Sequence, residues 1–181
     1  AQKILQEKKN LRILEVPKQT PEQYALKMTH FGLLYQTEDM AIPKEILSQW
    51  EVVTTRKPTA QDMEELLFAW RVCKHVKSNA IVFTNHLQTL AVGAGQMSRV
   101  DAVRIAIDKA NSSLKNAVLA SDAFFPFRDG VDIAIKAGVR AIVQPGGSRR
   151  DAEVIEACEA PLSSLIVTHF FCAVFHDMLS R

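Results

Sequence analysis

Downstream of residue 56, hydrophobic positions alternate between a helical and an extended spacing. The segment "PTAQDMEELLFAWRVCKHV" carries apolar residues every three or four positions, which predicts a helix with one buried face. These positions are Met63, Leu66, Leu67, Trp70 and Cys73. Thr59 and Asp62 have the spacing of a capping box, so this helix is predicted to begin there. Two apolar runs follow, "NAIVFT" and "TLAVGAG", and the polar "NHLQ" between them predicts a β-hairpin.

Helices and strands are predicted to alternate after this hairpin. The predicted helices are "SRVDAVRIAIDKAN", capped by Ser98 with Asp101, "DGVDIAIKAG", closed by Gly138, and "SRRDAEVIEACE", with Ser148 and Asp151 as another capping box. The predicted strands are "NAVLASDAFF", "VRAIVQPGG" and "SSLIVT". This order predicts an α/β fold with a mixed sheet, which begins antiparallel and continues with parallel strands, and with helices on both faces.

The first 56 residues lack this regularity. "LRILEVP" and "FGLLYQTED" are predicted as short strands, and Pro43 and Pro58 interrupt the irregular segment that follows. We therefore predict that residues 1–56 form a lead-in segment, the end of a preceding subdomain plus a connection, and that 57–181 form the main α/β subdomain. The chain does not begin with Met, which indicates a piece of a longer protein.

Charge and cysteine content narrow the class of protein. Within 181 residues the net charge is +2, with Lys and Arg spread along the chain, so nucleic-acid binding is not expected. Cys73, Cys158 and Cys172 are widely spaced without a CxxC motif. This spacing favours free thiols in a reducing compartment such as the cytoplasm, and neither a disulfide framework nor a metal site is expected.

Two terminal segments bear on targeting. "AQKILQEKKN" is polar and has no apolar core typical of a secretory signal. "PLSSLIVTHFFCAVFHDML" is largely apolar, but serines, a threonine, histidines and an aspartate interrupt it. A bilayer-spanning helix needs about 20 predominantly apolar residues, so a buried strand followed by a tail is predicted, and no membrane association.

A glycine turn joins a predicted strand to a predicted helix in "TLAVGAGQMSRVDAVRIA". Gly93 and Gly95 match two glycines of a dinucleotide-binding fingerprint, but Ser98 occupies the place of the third. The preceding strand is also the second arm of a hairpin and not the first strand of a βαβ unit. An anion site at the helix start beside Arg99, or a tight turn with an ordinary N-cap, remain as interpretations.

Other polar and aromatic residues cluster at the same strand ends. Asn79 stands at a strand entrance, "ASDAFFPFRDG" places three phenylalanines near a charged pair, and "QPGGSRRD" offers Arg149 and Arg150 at a helix start. Ligands of α/β folds bind at such strand ends. Rings for stacking and a carboxylate for an amino-pyrimidine edge suit a flat heteroaromatic ligand, although a turn amide and core phenylalanines are the alternative.

Four motifs, "VKSNAIV", "GAGQMSRVD", "ASDAFFPFRDGVD" and "QPGGSRRDAEVI", resemble the transformylase half of the bifunctional AICAR transformylase/IMP cyclohydrolase family. The similarity runs in order from about Lys9 to Glu159. It implies a cytidine-deaminase-like fold and formyl transfer from 10-formyltetrahydrofolate to the amino group of AICAR, an aminoimidazole carboxamide ribonucleotide. It also implies a homodimer with sites at the subunit interface. The zinc-deaminase signature is absent, so no metal is expected.

The resemblance also implies roles for individual residues. Asn79, Arg99 and Phe124 would bind AICAR: Asn79 at the base region, Arg99 at the anionic or carboxamide side, and Phe124 as pocket lining. Asp129 would hold the pterin of the folate. The backbone of Val100 and the turn at Ser148 and Arg149 would border the folate.

The chain departs from the family at the catalytic motif and at its end. The family's Lys–His pair stands in a "KHVSPAG"-type motif that is missing here, so no catalytic residue is assigned. "KHV" does occur at Lys74 and His75, but at the end of a helix, and we interpret it as unrelated. In "IVTHFFCAVFHDML", Phe171 stands where the family has a substrate-binding arginine, which indicates a diverged or frame-shifted terminus.

Three hypotheses follow. The first is a C-terminal transformylase fragment that is inactive alone. The second is a nucleotide- or folate-binding module without chemistry, and the third a dinucleotide-binding oxidoreductase fragment.

Overall fold

The computed structural model describes residues 5–7, 10–16, 24–37, 47–48, 50–159 and 163–168. The chain divides into two compact units, Ala1–Met40 and Ala41–Arg181. The predicted tail, including Phe171 and Cys172, lies outside the described residues.

The first unit contains an antiparallel pair, β1 (Tyr24–Thr29) and β2 (Gly32–Thr37). Strand β2 confirms the prediction for "FGLLYQTED", and the rings of Tyr24 and Tyr35 stack across the pair with centroids 4.7 Å apart. The prediction of a strand in "LRILEVP" is wrong, because residues 11–16 have no regular structure. A strand needs a pairing partner, and in the described part of this unit β1 and β2 pair with each other.

The second unit is built on a six-stranded mixed sheet with strand order β3-β8-β7-β6-β4-β5. The strands are β3 (Glu51–Val52), β4 (Ile81–Asn85), β5 (Gln88–Gly93), β6 (Val118–Ser121), β7 (Ala141–Pro145) and β8 (Ser164–Thr168). Strands β6, β7 and β8 are parallel, whereas β4 is antiparallel to both β5 and β6. The hairpin, the parallel strands and the α/β class are therefore confirmed.

Strand β3 was not predicted. Its two residues pair antiparallel with β8, so the chain joins this sheet before residue 56. The compact unit begins at Ala41, and the role of residues 1–56 as a lead-in segment stays a prediction.

Four helices cover both faces of the sheet. They are α1 (Ala60–Cys73), α2 (Arg99–Asp108), α3 (Asp129–Lys136) and α4 (Asp151–Glu159). Because side chains alternate along a strand, Val82 packs with α1 on one face, while Ile81 and Phe83 pack with the other three helices on the opposite face. All three side chains are fully buried.

The helix starts follow the predicted caps with one exception. Thr59 and Asp62 form the complete box, with Asp62 N–H donating to Thr59 Oγ1 at 3.1 Å and Thr59 N–H to Asp62 Oδ2 at 3.0 Å. Ser98 Oγ accepts from Asp101 N–H at 3.2 Å. The predicted box at α4 is wrong in its pairing. Ser148 Oγ accepts from Arg150 N–H and Asp151 from Gly147 N–H, because the chain makes an additional turn before α4 begins at Asp151.

None of the helices in the described parts of the chain has the length and apolarity needed to cross a bilayer.

A partly buried ion pair joins α1 to the residue before β7. Arg140 Nε lies 2.6 Å from Asp62 Oδ1, and the side chains are 18% and 5% exposed. Burial is the largest single influence on Asp62 and would raise its pKa. The hydrogen bond from Arg140, the two bonds from Thr59 and the Arg140 charge together outweigh it, so the pKa of Asp62 lies below its ordinary value.

Asp62→Asn is expected to reduce the free energy of unfolding at pH 7 by about 1.5–3 kcal/mol, the usual range for a charged hydrogen bond. A carboxyl whose pKa is lowered on folding stabilises the fold above its unfolded pKa of about 3.9, and this contribution disappears as pH falls through the lower folded value. Urea titrations should therefore show the difference between the two proteins shrinking below about pH 4.

Asp132→Asn is the matched control, because Asp132 in α3 forms an exposed pair with Arg128, the residue that precedes this helix. It should change stability by less than about 0.5 kcal/mol. An Asp62→Asn effect that is the same at pH 7 and at pH 3 would contradict the role of the ion pair.

Candidate functional site

The segments singled out for chemistry meet at one edge of the sheet. Ile81 at the start of β4 is opposite both Gly93 at the end of β5 and Ser121 at the end of β6. Because β7 runs parallel to β6, its carboxyl end lies at this edge too. The segments before β4 and after β5, β6 and β7 are therefore neighbours, as the sequence predicted.

A cavity of about 490 Å³ opens at this edge. Its lining combines aromatic and other apolar side chains with a few polar ones: Asn79, Met97, Ser98, Arg99, Val100, Ala123, Phe124, Pro126, Phe127 and Asp129. Five of the seven residues assigned by resemblance are in this set, namely Asn79, Arg99, Val100, Phe124 and Asp129. Ser148 and Arg149 are not among the lining residues.

The guanidinium of Arg99 is held by a buried polar network. Its Nη1 donates to Asp122 Oδ1 and to the Ala80 carbonyl at 3.2 Å, and its Nη2 donates to Asn79 Oδ1 at 2.8 Å. Arg99 is 7% exposed and Asp122 1%. A buried pair of opposite charges adds no net charge, so Arg99 does not give the cavity the free positive charge that a phosphate-binding site needs.

The turn before β4 is tied to the glycine loop after β5. Asn79 donates twice to the Gln96 carbonyl, from Nδ2 at 2.8 Å and from the backbone N–H at 3.2 Å. The Gly95 N–H donates to the Lys77 carbonyl at 2.7 Å. Asn79 therefore positions the loop and Arg99 at once, and its side chain acts as more than a turn amide.

The phenylalanine loop divides between core and cavity. Phe125 is fully buried, and its N–H donates to Gln144 Oε1 at 2.9 Å, so this ring belongs to the core. Phe124 and Phe127 line the cavity. The guanidinium carbon of Arg150 lies 4.8 Å from the centre of the Phe127 ring, which places the turn before α4 against this wall.

Asp129 supplies a carboxylate at the cavity mouth. It is exposed, stands in the first turn of α3, and accepts from the Gly130 N–H at 2.7 Å. A carboxylate is favoured at a helix start, and it can accept two hydrogen bonds from an amino-substituted ring. Phe124, Phe127 and Asp129 together match the rings and carboxylate expected for a flat heteroaromatic ligand.

Gly93 is required for packing. A Cβ atom there would overlap the carbonyl oxygen of Ala102 in α2, whereas one at Gly95 would have space. Gly95 instead has a φ of +66°, the left-handed region that glycine adopts readily. The pair of glycines is thus explained by a close helix–strand approach and a turn.

The other candidate chemistry lies away from the cavity. His75 is exposed at the end of α1, and it is not among the lining residues. Within the described residues, no group of His, Cys, Asp or Glu side chains could hold a metal ion. Cys73 and Cys158 are buried thiols, and burial, with smaller effects from Glu159 and Asp132, raises the pKa of Cys158 to about 12.

Asp122 is the main residue that sequence reasoning did not assign. Asp122 belongs to the quoted segment "ASDAFFPFRDG", the phenylalanine loop, and no role was predicted for it. Its position nevertheless indicates a buried carboxylate. It follows the apolar run "NAVLAS" directly, so the carboxylate had to lie at the end of a buried strand and required donors. Gln144 is similar, since it ends the apolar run "AIVQ" and is fully buried.

These features define an α/β domain with a cavity at the strand ends, lined by aromatic rings, a guanidinium and a carboxylate. The chain belongs to the AICARFT/IMPCHase bienzyme family, whose model matches residues 1–109. It is 54% identical over 164 residues to the bifunctional purine biosynthesis protein PurH of Desulfitobacterium hafniense, covering 88% of this chain and 31% of that protein. It is 52% identical over 163 residues to the protein of that name from Nostoc punctiforme, covering 87% and 30%. The chain therefore spans about three tenths of these relatives.

Gly93→Ala is expected to destabilise the domain by about 1–3 kcal/mol, the usual cost of overpacking, because the added methyl group must displace α2. Urea unfolding measures this cost. Ala94→Ser, at the neighbouring exposed position, is the control and should stay within about 0.5 kcal/mol of the original. If Gly93→Ala were as stable as the original chain and instead abolished binding of NAD, the glycine turn would be a dinucleotide site.

Proposed function

We propose that this chain is the C-terminal part of an AICAR transformylase, which transfers a formyl group from 10-formyltetrahydrofolate to AICAR in purine biosynthesis. The observation that carries the proposal is that Asn79, Arg99, Phe124, Val100 and Asp129 all line the same cavity. These are five of the seven residues that the resemblance links to the two substrates, and they come from three separate segments of the chain. The names of the relatives, which are purine biosynthesis proteins, support the same activity.

In this proposal the two substrates occupy different parts of the site. Asn79, Arg99 and Phe124 bind AICAR, with the neutralised Arg99 favouring the carboxamide side over the phosphate. Asp129 accepts hydrogen bonds from the amino-pyrimidine edge of the pterin, beside the backbone of Val100. Ser148 and Arg149 border the folate from outside the cavity wall, since Arg150 of the same turn packs on Phe127.

The requirements of formyl transfer indicate which part of catalysis this chain supplies. The AICAR amine is a weak nucleophile because its lone pair is delocalised into the imidazole and the carboxamide. Formyl transfer therefore requires orientation of both reactants, removal of a proton and stabilisation of an oxyanion. The cavity supplies orientation, and no lysine or histidine is among its described lining residues. In the family pattern a Lys–His pair in a "KHVSPAG"-type motif performs the other two tasks.

The proposal extends to assembly and location. The active form is a homodimer with sites at the subunit interface, without a metal ion. A reducing compartment such as the cytoplasm suits the buried thiols of Cys73 and Cys158.

This chain alone is expected to show no formyl transfer when mixed with AICAR and 10-formyltetrahydrofolate, because the Lys–His motif is missing from its sequence. Tetrahydrofolate production, followed by absorbance, measures the rate. Turnover that disappears in His75→Ala would contradict both the expected inactivity and the interpretation of "KHV". Binding of either substrate without turnover is the outcome expected for a binding module.

Arg99→Lys, introduced at the aligned position of the full-length Desulfitobacterium hafniense relative, is expected to weaken AICAR binding about ten- to hundredfold. Lysine keeps the charge beside Asp122 but lacks the planar set of donors that reaches Asn79 and a ligand together. Calorimetric titration with each substrate should show folate affinity nearly unchanged.

The control for this substitution is Arg104→Lys. Arg104 lies on the same helix in an exposed pair with Asp101, away from the cavity lining. Equal AICAR affinity for Arg99→Lys and Arg104→Lys would exclude Arg99 from the AICAR site.

A further inference from the structure

Asp122 joins three segments of the site through one carboxylate. Its Oδ1 accepts from the Ala80 N–H at 2.9 Å and from Arg99 Nη1, and its Oδ2 accepts from Ser78 Oγ. The Asp122 N–H also donates to the Ala80 carbonyl at 3.3 Å, which continues the pairing of β4 with β6. The sheet register therefore fixes the carboxylate, and the carboxylate fixes the guanidinium.

The donors of Arg99 show what this arrangement leaves available. A guanidinium has five N–H groups. Three are used inside the protein, toward Asp122, Ala80 and Asn79. The Nε–H and the second N–H of Nη2 remain, and Nε is buried without a hydrogen-bond partner among the described residues.

A buried donor without a partner costs free energy unless something else satisfies it. Arg99 lines the cavity, so a ligand in the cavity is the natural source of an acceptor. The internal bonds of Arg99 orient its plane and leave two donors for one acceptor group. A neutral acceptor suits them, because Asp122 already balances the charge.

We propose that Asp122 is a positioning residue for nucleotide binding: it fixes the plane and charge of Arg99 so that the remaining N–H groups bind an uncharged oxygen of the substrate, such as a carboxamide oxygen. Asp122 lies behind Arg99 and is absent from the cavity lining, so it acts through Arg99. This inference rests on the proposed function, since it takes the substrate to be AICAR.

The test uses the full-length Desulfitobacterium hafniense relative, with substitutions at the aligned positions. Asp122→Asn keeps the shape of the side chain but removes the charge that holds Arg99. We expect the KM for AICAR to rise at least tenfold and the KM for 10-formyltetrahydrofolate to change less than twofold. In an Arg99→Ala background, Asp122→Asn should change the KM for AICAR less than twofold, because residues that act as one unit are not additive.

Asp62→Asn is the matched control. It disturbs a second Asp–Arg pair, the partly buried one with Arg140 at the opposite edge of the sheet, and should leave both KM values unchanged. A general loss of stability would affect Asp62→Asn as well, whereas a positioning role affects only the AICAR KM of Asp122→Asn.

A buried guanidinium without its carboxylate can prevent folding, so Ser78→Ala is the second variant. It removes one donor to Asp122 and keeps the ion pair, and it should raise the KM for AICAR by two- to tenfold with the folate KM unchanged. If Ser78→Ala and Asp122→Asn both leave the AICAR KM unchanged, or raise both KM values together, the positioning role is wrong. If Arg99→Ala itself leaves AICAR binding intact, the proposed substrate site is wrong instead.

Discussion

The site depends on one buried carboxylate. Transferring a charged carboxylate from water into a protein interior is costly unless opposite charge and hydrogen-bond donors surround it. Asp122 satisfies this requirement with a guanidinium, a hydroxyl group and a backbone N–H that belong to Arg99, Ser78 and Ala80. The segments before β4, after β5 and after β6 must therefore come together for the domain to fold. The same convergence creates the cavity.

The order of strands makes this convergence possible. A fully parallel sheet would place the start of β4 at the edge opposite the end of β6. Because β4 is antiparallel to β6 and to β5, Ile81 lies beside both Ser121 and Gly93. Gly93 then lets α2 approach the sheet closely, since any side chain there would meet the Ala102 carbonyl. Arg99, in the first turn of α2, is thereby brought within reach of Asp122.

Interactions between residues close in sequence were predicted correctly, whereas interactions between residues far apart in sequence were missed. The capping box at Thr59 and the hairpin between β4 and β5 depend on neighbours within a few residues, and both were predicted. Strand β3 was missed because two residues carry no periodic pattern, and their pairing with β8 spans more than 100 positions. The box at Ser148 was misassigned, because the same spacing of hydroxyl and carboxylate also suits a turn before a helix.

Five of the ten residues that line the cavity were assigned from the resemblance, whereas the partner of Arg99 was not identified. Asp122 and Arg99 are 23 positions apart, and they become neighbours because β5 and β6, on either side of β4, both end at the same edge of the sheet. Periodicity predicts which face of a strand is buried, but it does not identify which buried charges meet. The phenylalanine loop could not be resolved from the sequence either. Nothing in "DAFFPF" distinguishes the core ring of Phe125 from the cavity ring of Phe124.

A buried ion pair is a weak source of stability, because the desolvation of two charges offsets most of their attraction. Replacing a buried ion pair by apolar side chains of similar volume is often neutral for stability. What an apolar pair does not provide is a rigid donor with N–H groups that the described residues leave unpaired. The buried Nε–H of Arg99 has no partner among the described residues, and an acceptor from outside the protein would offset the cost of leaving it unpaired. The unpaired donor of Arg99 lies at the strand ends beside two aromatic rings. This combination is typical of a binding site and not of an ordinary sheet edge.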